Sequence, residues 1–321
     1  MSAFKLITGS WIEFQHHSRQ EGALYNPACA AFTPEQWRIL LGDMRGAGME
    51  YLVLLATALD DAAYFQTDIY PPSRLACPNP LEVLLDEADR LGMKVFVSNG
   101  FYGNWRETEL NMTRPERLDR VLRAMEQLAE RFGGHPSFYG WYYPDECWLR
   151  GGIPQLFAEY VNLSSAHSRR LNPRFRTLIA PYGTKDIRAD DSYVRDLEAL
   201  DVDFIAYQDE VGVRKSSTEE TPRYYEALRR AHDKAGRAAL WADVELFTFQ
   251  GETYQSPLLP APFERIRRQL EAVSPYVDRI LAYQYQGMLS RPGSAAFAGA
   301  PESARLYEDY MAWRDSAGLR D

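Results

Sequence analysis

The chain has 321 residues, of which 36 are Lys or Arg and 45 are Asp or Glu, so its formal net charge at pH 7 is −9. A surface of that sign repels phosphate backbones and anionic lipids, which argues against nucleic acid and membrane partners. The 45% hydrophobic and 25% charged residues are close to globular averages and exclude a disordered chain.

The cysteines and the N-terminal sequence indicate a cytoplasmic protein. Cys29, Cys77 and Cys147 are too few and too scattered for a disulfide framework or a CxxC metal site. The first 14 residues lack the basic start, apolar core and cleavage site of a signal peptide. A leader removed before this sequence begins would leave the same pattern.

Eight short strand-like runs recur along the chain, and each is followed by a loop and a helical pattern. Because a parallel strand pair needs a long crossover, this alternation predicts parallel βαβ units. The predicted strands cover residues 4–8, 51–56, 94–98, 138–142, 177–180, 203–208, 239–244 and 279–285. Eight such units predict an α/β fold, a single (β/α)₈ TIM barrel over residues 1–321.

Capping residues mark several of the helices between these strands. A Thr or Asn followed by Pro begins the predicted helices at Pro34 and Pro80, and Gly46 and Gly92 end them. The final helix is predicted near residues 301–313. The alternative fold is a doubly wound open sheet, but its GxGxxG motif is absent after the first strand and no GxxxxGK motif occurs.

The active site of such a barrel forms at the C-terminal ends of the strands. Acidic residues follow predicted strands four and six and end strand seven. These candidates are Asp145, Glu146, Asp209, Glu210, Asp243 and Glu245. In strand seven, Trp241, Asp243 and Glu245 alternate with apolar residues, which predicts that they face the barrel interior and mouth.

Hydrolysis of a glycosidic bond needs two carboxyl groups, one to protonate the leaving oxygen and one to attack carbon or activate water. Adjacent residues of an extended chain point apart, so Glu146, with its longer side chain, is the acid/base candidate and Asp145 a supporting residue. Glu245 is the second catalytic candidate. Asp209 and Glu210 are alternatives as pKa tuners, sugar ligands or partners in an inverting pair, or they form a salt bridge to Arg214.

Aromatic and amide side chains also lie near the predicted strand ends. Flat rings stack on the C–H faces of a pyranose, while amides and acids bond its hydroxyls. The substrate-binding candidates are Trp11, Glu13, Tyr102, Trp105, Trp148, Tyr182, Gln208, Trp241, Gln284 and Tyr285. Any single aromatic residue of this set is more often part of the core or of the barrel rim. The set as a whole favours a surface on which sugar rings stack.

A metal site is the weaker interpretation of the histidines. His16 and His17 lie near Glu13, but no second cluster in the sequence supplies further ligands. No metal or other cofactor is therefore predicted. No GxSxG nucleophile elbow is present either.

The acids within 141–146 and 241–245 resemble the catalytic pattern of retaining (β/α)₈ glycoside hydrolases. More closely, residues 9–11, 87–95, 207–210 and 283–287 resemble a bacterial family of barrels assigned as glycosyl hydrolases, of largely undefined substrate. This resemblance, which covers most of the chain, implies that Glu146 is the acid/base and Glu245 the nucleophile. The chain differs from the common pattern in having Asp145 where Asn usually precedes the strand-four Glu.

The sequence therefore predicts a glycoside hydrolase that cleaves an oligo- or polysaccharide, with a carbohydrate as its partner. One alternative is a barrel that binds sugar without cleaving it, with the aromatics in place and the carboxyls badly spaced. The other is a metal-dependent sugar isomerase. An aldolase is disfavoured because neither Lys94 nor Lys185 is well placed for a Schiff base.

Overall fold

The structure is a computed structural model that describes residues 4–316. Its central feature is a closed barrel of eight parallel strands, numbered here in chain order. These are β1 (Ile7–Ile12), β2 (Tyr51–Leu54), β3 (Lys94–Ser98), β4 (Phe138–Tyr143), β5 (Arg176–Ile179), β6 (Phe204–Gln208), β7 (Ala239–Glu245) and β8 (Arg279–Tyr283). Each strand pairs with the next along the chain, and β8 pairs with β1. The predicted (β/α)₈ TIM barrel is confirmed.

Helices surround the barrel and follow most of the strands. They are α1 (Asn26–Ala31), α2 (Pro34–Gly46), α3 (Pro80–Leu91), α4 (Thr108–Thr113), α5 (Pro115–Phe132), α6 (Gln155–Leu171), α7 (Asp191–Ala199), α8 (Thr221–Ala235), α9 (Phe263–Val273) and α10 (Glu302–Ser316). Short 3₁₀ helices lie at Glu21–Leu24 and Thr184–Asp186. Two small antiparallel pairs, Ala58–Leu59 with Ala62–Ala63 and Phe247–Phe249 with Leu258–Pro260, lie outside the barrel.

The capping signals act as the sequence predicts. The Thr33 hydroxyl accepts a hydrogen bond from the Gln36 backbone N–H, and the Gln36 side chain bonds the Thr33 N–H in return, which fixes the start of α2. Gly92 ends α3 in the left-handed region, with φ of 66°. Among residues 4–316, no helix is both long and apolar enough to cross a membrane.

The predicted position of the first strand was wrong: β1 covers Ile7–Ile12, not residues 4–8. Gly9 and Ser10 have the composition of a turn, but both lie within the strand. The Ser10 hydroxyl donates to the Ala282 carbonyl at 2.9 Å, and a Cβ at Gly9 would lie 2.7 Å from Tyr51. Close approach of two neighbouring strands therefore explains these small residues.

The last strand also ends earlier than predicted, at Tyr283 rather than at residue 285. Strand two ends at Leu54 rather than at residue 56. The final helix, predicted over 301–313, covers Glu302–Ser316. These shifts decide which side chains reach the mouth of the barrel.

Aromatic rings fill the lower part of the barrel. Trp241 packs against Phe204, with ring centroids 4.3 Å apart, and against Tyr51 at 5.2 Å. Phe96 lies 6.1 Å from the same indole. Three of these four residues stand in the first half of their strands, so the filled region lies toward the N-terminal end and leaves the C-terminal end open.

Two glycines provide a test of the strand packing. We expect Gly140→Ala to lower the free energy of unfolding by about 2–3 kcal/mol, because its Cβ would lie 1.9 Å from the Arg176 carbonyl oxygen on the neighbouring strand. Gly42→Ala in α2 is the matched control. The space beside Gly42 is open, so we expect that variant to be about 0.5–1 kcal/mol more stable.

Urea unfolding monitored by circular dichroism measures both changes. Equal stability of Gly140→Ala and the wild type would contradict the close approach of β4 and β5.

Candidate active site

A cavity of about 410 Å³ opens at the C-terminal end of the barrel, and we call it the main cavity. Its volume is typical of small-molecule sites. Four acidic side chains from three strand ends line it. They are Glu146, Glu210, Asp243 and Glu245. The position of this cavity agrees with the end of the barrel at which catalytic residues are expected.

The two acids after β4 have different environments, as the alternation of an extended chain predicts. Glu146 is half-buried and lines the main cavity. Asp145 is buried at 2% exposure and accepts a hydrogen bond of 2.7 Å from the Asn111 amide. Asp145 therefore packs behind the cavity wall, and Glu146 is the acid that a ligand can reach.

Burial dominates the protonation of Glu146. Loss of water raises its pKa to about 7, and the negative charge of Glu210 adds to the rise. The Gln208 amide and the Lys215 ammonium oppose it. A carboxyl with such a pKa exchanges its proton near neutral pH, which is the property required of a group that both donates and accepts a proton.

Glu245 is the last residue of β7 and lines the main cavity from the other side of the mouth. Its side chain is almost fully buried, and one carboxylate oxygen, Oε2, accepts a hydrogen bond of 2.8 Å from the Val213 backbone N–H. Burial raises the pKa of Glu245, and the neighbouring Asp209 raises it further. The bond from Val213 orients the carboxylate and favours its ionised form.

Asp209 does not line the main cavity and holds the backbone at Glu245 instead. Its Oδ1 accepts from the Glu245 N–H at 3.3 Å, and its Oδ2 accepts from the Gln269 amide at 2.6 Å. Arg265 donates to the carbonyl of Glu245 at 2.8 Å. This buried network fixes the end of β7, so Asp209 is a positioning residue.

Glu210 links two loops of the barrel mouth. Its backbone has φ of 55°, a conformation that is unusual for a residue other than glycine. Its Oε2 accepts from the backbone N–H groups of Gly183 and Thr184, at 3.0 and 2.9 Å. The other oxygen, Oε1, is buried and has no hydrogen-bond partner within residues 4–316.

Asp243 lies two residues before Glu245 on the same side of β7 and lines the main cavity. Burial raises its pKa well above the usual range, and the charges of Glu245, Asp209 and Glu146 act in the same direction. Burial and these neighbouring charges all favour the protonated form of Asp243. It lies within electrostatic range of both catalytic candidates.

The predicted substrate-binding residues divide into two groups. Trp11, Tyr182 and Gln208 line the main cavity. Trp105 lines a second cavity of about 570 Å³, which shares His17 with the first. These four residues therefore line the cavities at the mouth of the barrel.

The remaining rings do not reach the main cavity. Trp241 fills the barrel interior, and Tyr102 is buried with its hydroxyl 3.0 Å from that of Thr57. Tyr285 lies past the end of β8 and is buried. Trp148 is 45% exposed outside the cavity, and its indole N–H donates to Asp186 at 2.8 Å. These four side chains do not line the main cavity, and their predicted contact with a substrate stays a prediction.

Glu13 and Gln284 form a buried network beneath the cavity wall. The Glu13 carboxylate accepts from the Gln284 amide at 2.7 Å and from the Tyr25 hydroxyl at 3.2 Å. It also accepts from the Tyr283 hydroxyl at 3.5 Å, and Tyr283 lines the main cavity. Both predicted residues thus support a cavity wall rather than form it.

Glu13, His16 and His17 also lie close enough together to be considered as metal ligands, with candidate atoms within 4.8 Å of one another. The two imidazole rings are stacked, however, with centroids 4.4 Å apart and planes inclined by 18°. A metal ion lies in the plane of each imidazole that binds it, and two nearly parallel planes do not meet near the rings. This arrangement does not fit a metal held by both histidines.

Several cavity residues were not predicted. Lys215 and Tyr254 lie in long loops after β6 and β7, where no hydrophobic period indicates orientation. Tyr283 was missed because the last strand was predicted to continue to residue 285, which placed Tyr285 at its end. The same alternation with the correct end point would have identified Tyr283.

Solved structures with this fold include several glycoside hydrolases. A protein from Bacteroides thetaiotaomicron, provisionally described as an alpha-L-fucosidase, has 18% identity and a TM-score of 0.75, over 99% of this chain and 97% of its own. An endo-beta-1,4-mannanase from Thermotoga petrophila has 12% identity and a TM-score of 0.64, over 99% and 79%.

An endo-1,4-beta-mannanase from Rhizomucor miehei has 11% identity and a TM-score of 0.61, over 99% and 96% of the two chains. At these identities the similarity establishes the fold, and the expected resemblance to glycoside hydrolase barrels is confirmed at that level.

Sequence comparison gives a family but no activity. No curated protein matches the chain. The profile of one family matches residues 7–296, which include the whole barrel and every acid of the main cavity. The chain therefore belongs to the family described as "Domain of unknown function (DUF4434)".

Proposed function

We propose that this protein is a retaining glycoside hydrolase that cleaves an oligo- or polysaccharide. Glu146 is the proposed acid/base and Glu245 the proposed nucleophile. The observation that carries the proposal is that both carboxyl groups, from the ends of β4 and β7, line one cavity at the open end of the barrel. The fold shared with two solved mannanases supports it, since the same scaffold holds a glycosidase site in those proteins.

The proposed reaction has two steps. In the first, the Glu245 carboxylate attacks the anomeric carbon while Glu146 gives its proton to the departing glycosidic oxygen, so that the C–O bond breaks and a glycosyl ester forms. In the second, Glu146 takes a proton from water, the hydroxide oxygen attacks the same carbon, and Glu245 leaves as a carboxylate. The cleaved sugar keeps its anomeric configuration after two inversions.

The surroundings of the pair suit these roles. The half-buried Glu146, with a pKa of about 7, can hold a proton at neutral pH and release it to the leaving group. Glu245 is held by the Val213 N–H and, through its backbone, by Asp209. Fixing the nucleophile in this way reduces the reorganisation needed to reach the transition state.

Removal of either carboxylate tests the assignment. We expect Glu146→Gln and Glu245→Gln to lower kcat/KM by about 10³-fold or more on a substrate that the wild type cleaves, because each removes a group that acts in bond breaking. Aryl glycosides and polysaccharides provide the assay, and NMR of the first product should show the retained anomer.

Glu226→Gln, on the exposed surface of α8, is the control and should keep full activity. Full activity of either cavity variant, or an inverted first product, would contradict the proposed mechanism. A wild type that binds glycans and cleaves none would favour a non-catalytic sugar-binding barrel.

The pH dependence follows from the two carboxyl groups. In the first step Glu146 must be protonated and Glu245 ionised, so we expect kcat/KM to fall on both sides of a pH maximum. Because burial raises the pKa of both carboxyl groups, this maximum should lie near neutral pH rather than in the acidic range of ordinary carboxyl groups. Asp209→Asn removes the charge that raises the pKa of Glu245, and we expect the maximum to move to lower pH.

The same profile for Glu146→Gln on a substrate with a highly acidic leaving group should lack the alkaline limb. An unchanged pH maximum in a folded Asp209→Asn protein would contradict the coupling between Asp209 and Glu245.

A metal-dependent sugar isomerase is the second candidate, because Glu13, His16 and His17 lie together beside the main cavity. The stacked rings favour the hydrolase. We therefore expect dialysis against EDTA to leave hydrolysis unchanged. Loss of activity that Zn²⁺ or Mn²⁺ restores, together with aldose–ketose conversion, would favour the isomerase.

A further inference from the structure

The main cavity has a cation at its mouth that the proposed bond cleavage does not use. Of the described residues that line this cavity, Lys215 is the one Lys or Arg. Its side chain is exposed to solvent, and it stands on the loop after β6. Its neighbour in sequence, Arg214, is directed elsewhere and donates to the Phe249 carbonyl at 3.0 Å.

Two tyrosine rings hold the Lys215 ammonium in place. The Nζ atom lies 5.2 Å from the centroid of Tyr182 and 5.4 Å from that of Tyr254, and both rings line the main cavity. Cation–π attraction of this kind orients an ammonium group and leaves its charge in place. The cation thus lies near two aromatic rings of the cavity wall, the kind of flat surface on which sugar rings stack.

No carboxylate in residues 4–316 forms a direct salt bridge with Lys215. Glu210 and Glu146 both interact electrostatically with Lys215, but Oε2 of Glu210 is held by the amides of Gly183 and Thr184. An oriented ammonium without a bonded anion is a ready partner for a carboxylate of a ligand, since a charge-assisted hydrogen bond is the stronger kind.

The adjoining second cavity repeats this combination of a cation and an aromatic ring. Arg106 lies 4.8 Å from the centroid of the Trp105 ring, and both residues line the second cavity. His17 lies in the wall of both cavities. An oligosaccharide that extends from one cavity to the other would meet a cation in each.

We propose that the main cavity binds an acidic glycan and that Lys215 recognises the carboxylate of one of its uronic acid residues. The inference rests on the proposed function, because it takes the main cavity to be the substrate-binding site. Lys215 is on this view a specificity-determining residue, whereas Glu146 and Glu245 perform the reaction.

A purely electrostatic role of Lys215 makes a different prediction. Lys215 lowers the pKa of Glu146, so its loss would shift the pH profile for every substrate alike. If Lys215 instead recognises a uronate, its loss should weaken the binding of acidic sugars and leave the binding of neutral sugars unchanged. A comparison of matched acidic and neutral glycans therefore separates the two roles.

The experiment measures affinity by calorimetry in the Glu245→Gln protein, which prevents turnover. The probes are oligogalacturonate, alginate oligosaccharides and glucuronate-substituted xylo-oligosaccharides, each beside its carboxyl-reduced neutral counterpart. We expect at least one acidic probe to bind about tenfold or more tightly than its neutral counterpart, as a charged hydrogen bond provides. Because the ammonium is exposed, this preference should decrease as salt is added.

Adding Lys215→Met should abolish the preference, and Lys215→Arg should retain part of it. Lys234→Met, which removes an exposed lysine on α8, is the matched control and should keep it. If every acidic probe binds no better than its neutral counterpart, or if the preference survives Lys215→Met, the inference is wrong. The binding measurement does not depend on turnover. If the wild type hydrolyses no glycan, the proposed function is wrong, but the preference for acidic probes can still be measured.

Discussion

The account depends on the crowding of buried carboxyl groups at one end of a closed parallel barrel. The parallel strands direct the ends of β4, β6 and β7 to the same mouth, and their acids line one cavity. Ionised carboxylates that are this close and this poorly hydrated oppose one another's charge. Burial and this mutual repulsion therefore raise the pKa values of Glu146, Asp243 and Glu245, so the group as a whole gives up its protons at a higher pH than separate, exposed carboxyl groups would.

The acids at the barrel mouth have different hydrogen-bond partners. Asp209 bonds the backbone of Glu245 and the Gln269 amide, and Glu210 bonds two amides of a neighbouring loop. Glu146 is half-buried at the cavity wall, and a hydrogen bond from the Gln208 amide lowers its pKa. The acid that is open to the cavity is thus the one proposed to transfer protons, and an almost fully buried one, held by a backbone N–H, is proposed to attack carbon.

The sequence was sufficient to predict the barrel and which of two adjacent acids faces the cavity, because both depend on local alternation and on the spacing of strands and helices. It located Glu146 and Glu245 for the same reason, whereas Trp11 was expected past the end of a strand that in fact contains it. The sequence-based prediction was wrong where it depended on the exact end of a strand. It selected Tyr285 as a cavity residue, whereas Tyr283 lines the cavity. It also missed Lys215 and Tyr254, since the position of a long loop depends on contacts distant in sequence rather than on any period.

Covalent trapping of the enzyme tests the central claim most directly. A 2-deoxy-2-fluoro glycosyl fluoride of a sugar that the wild type cleaves slows the second step more than the first, so the glycosyl ester accumulates. Peptide mass spectrometry should then place the added sugar on Glu245. A label on Asp243, Glu146 or Glu210, or the absence of any label during turnover of the parent substrate, would contradict the account.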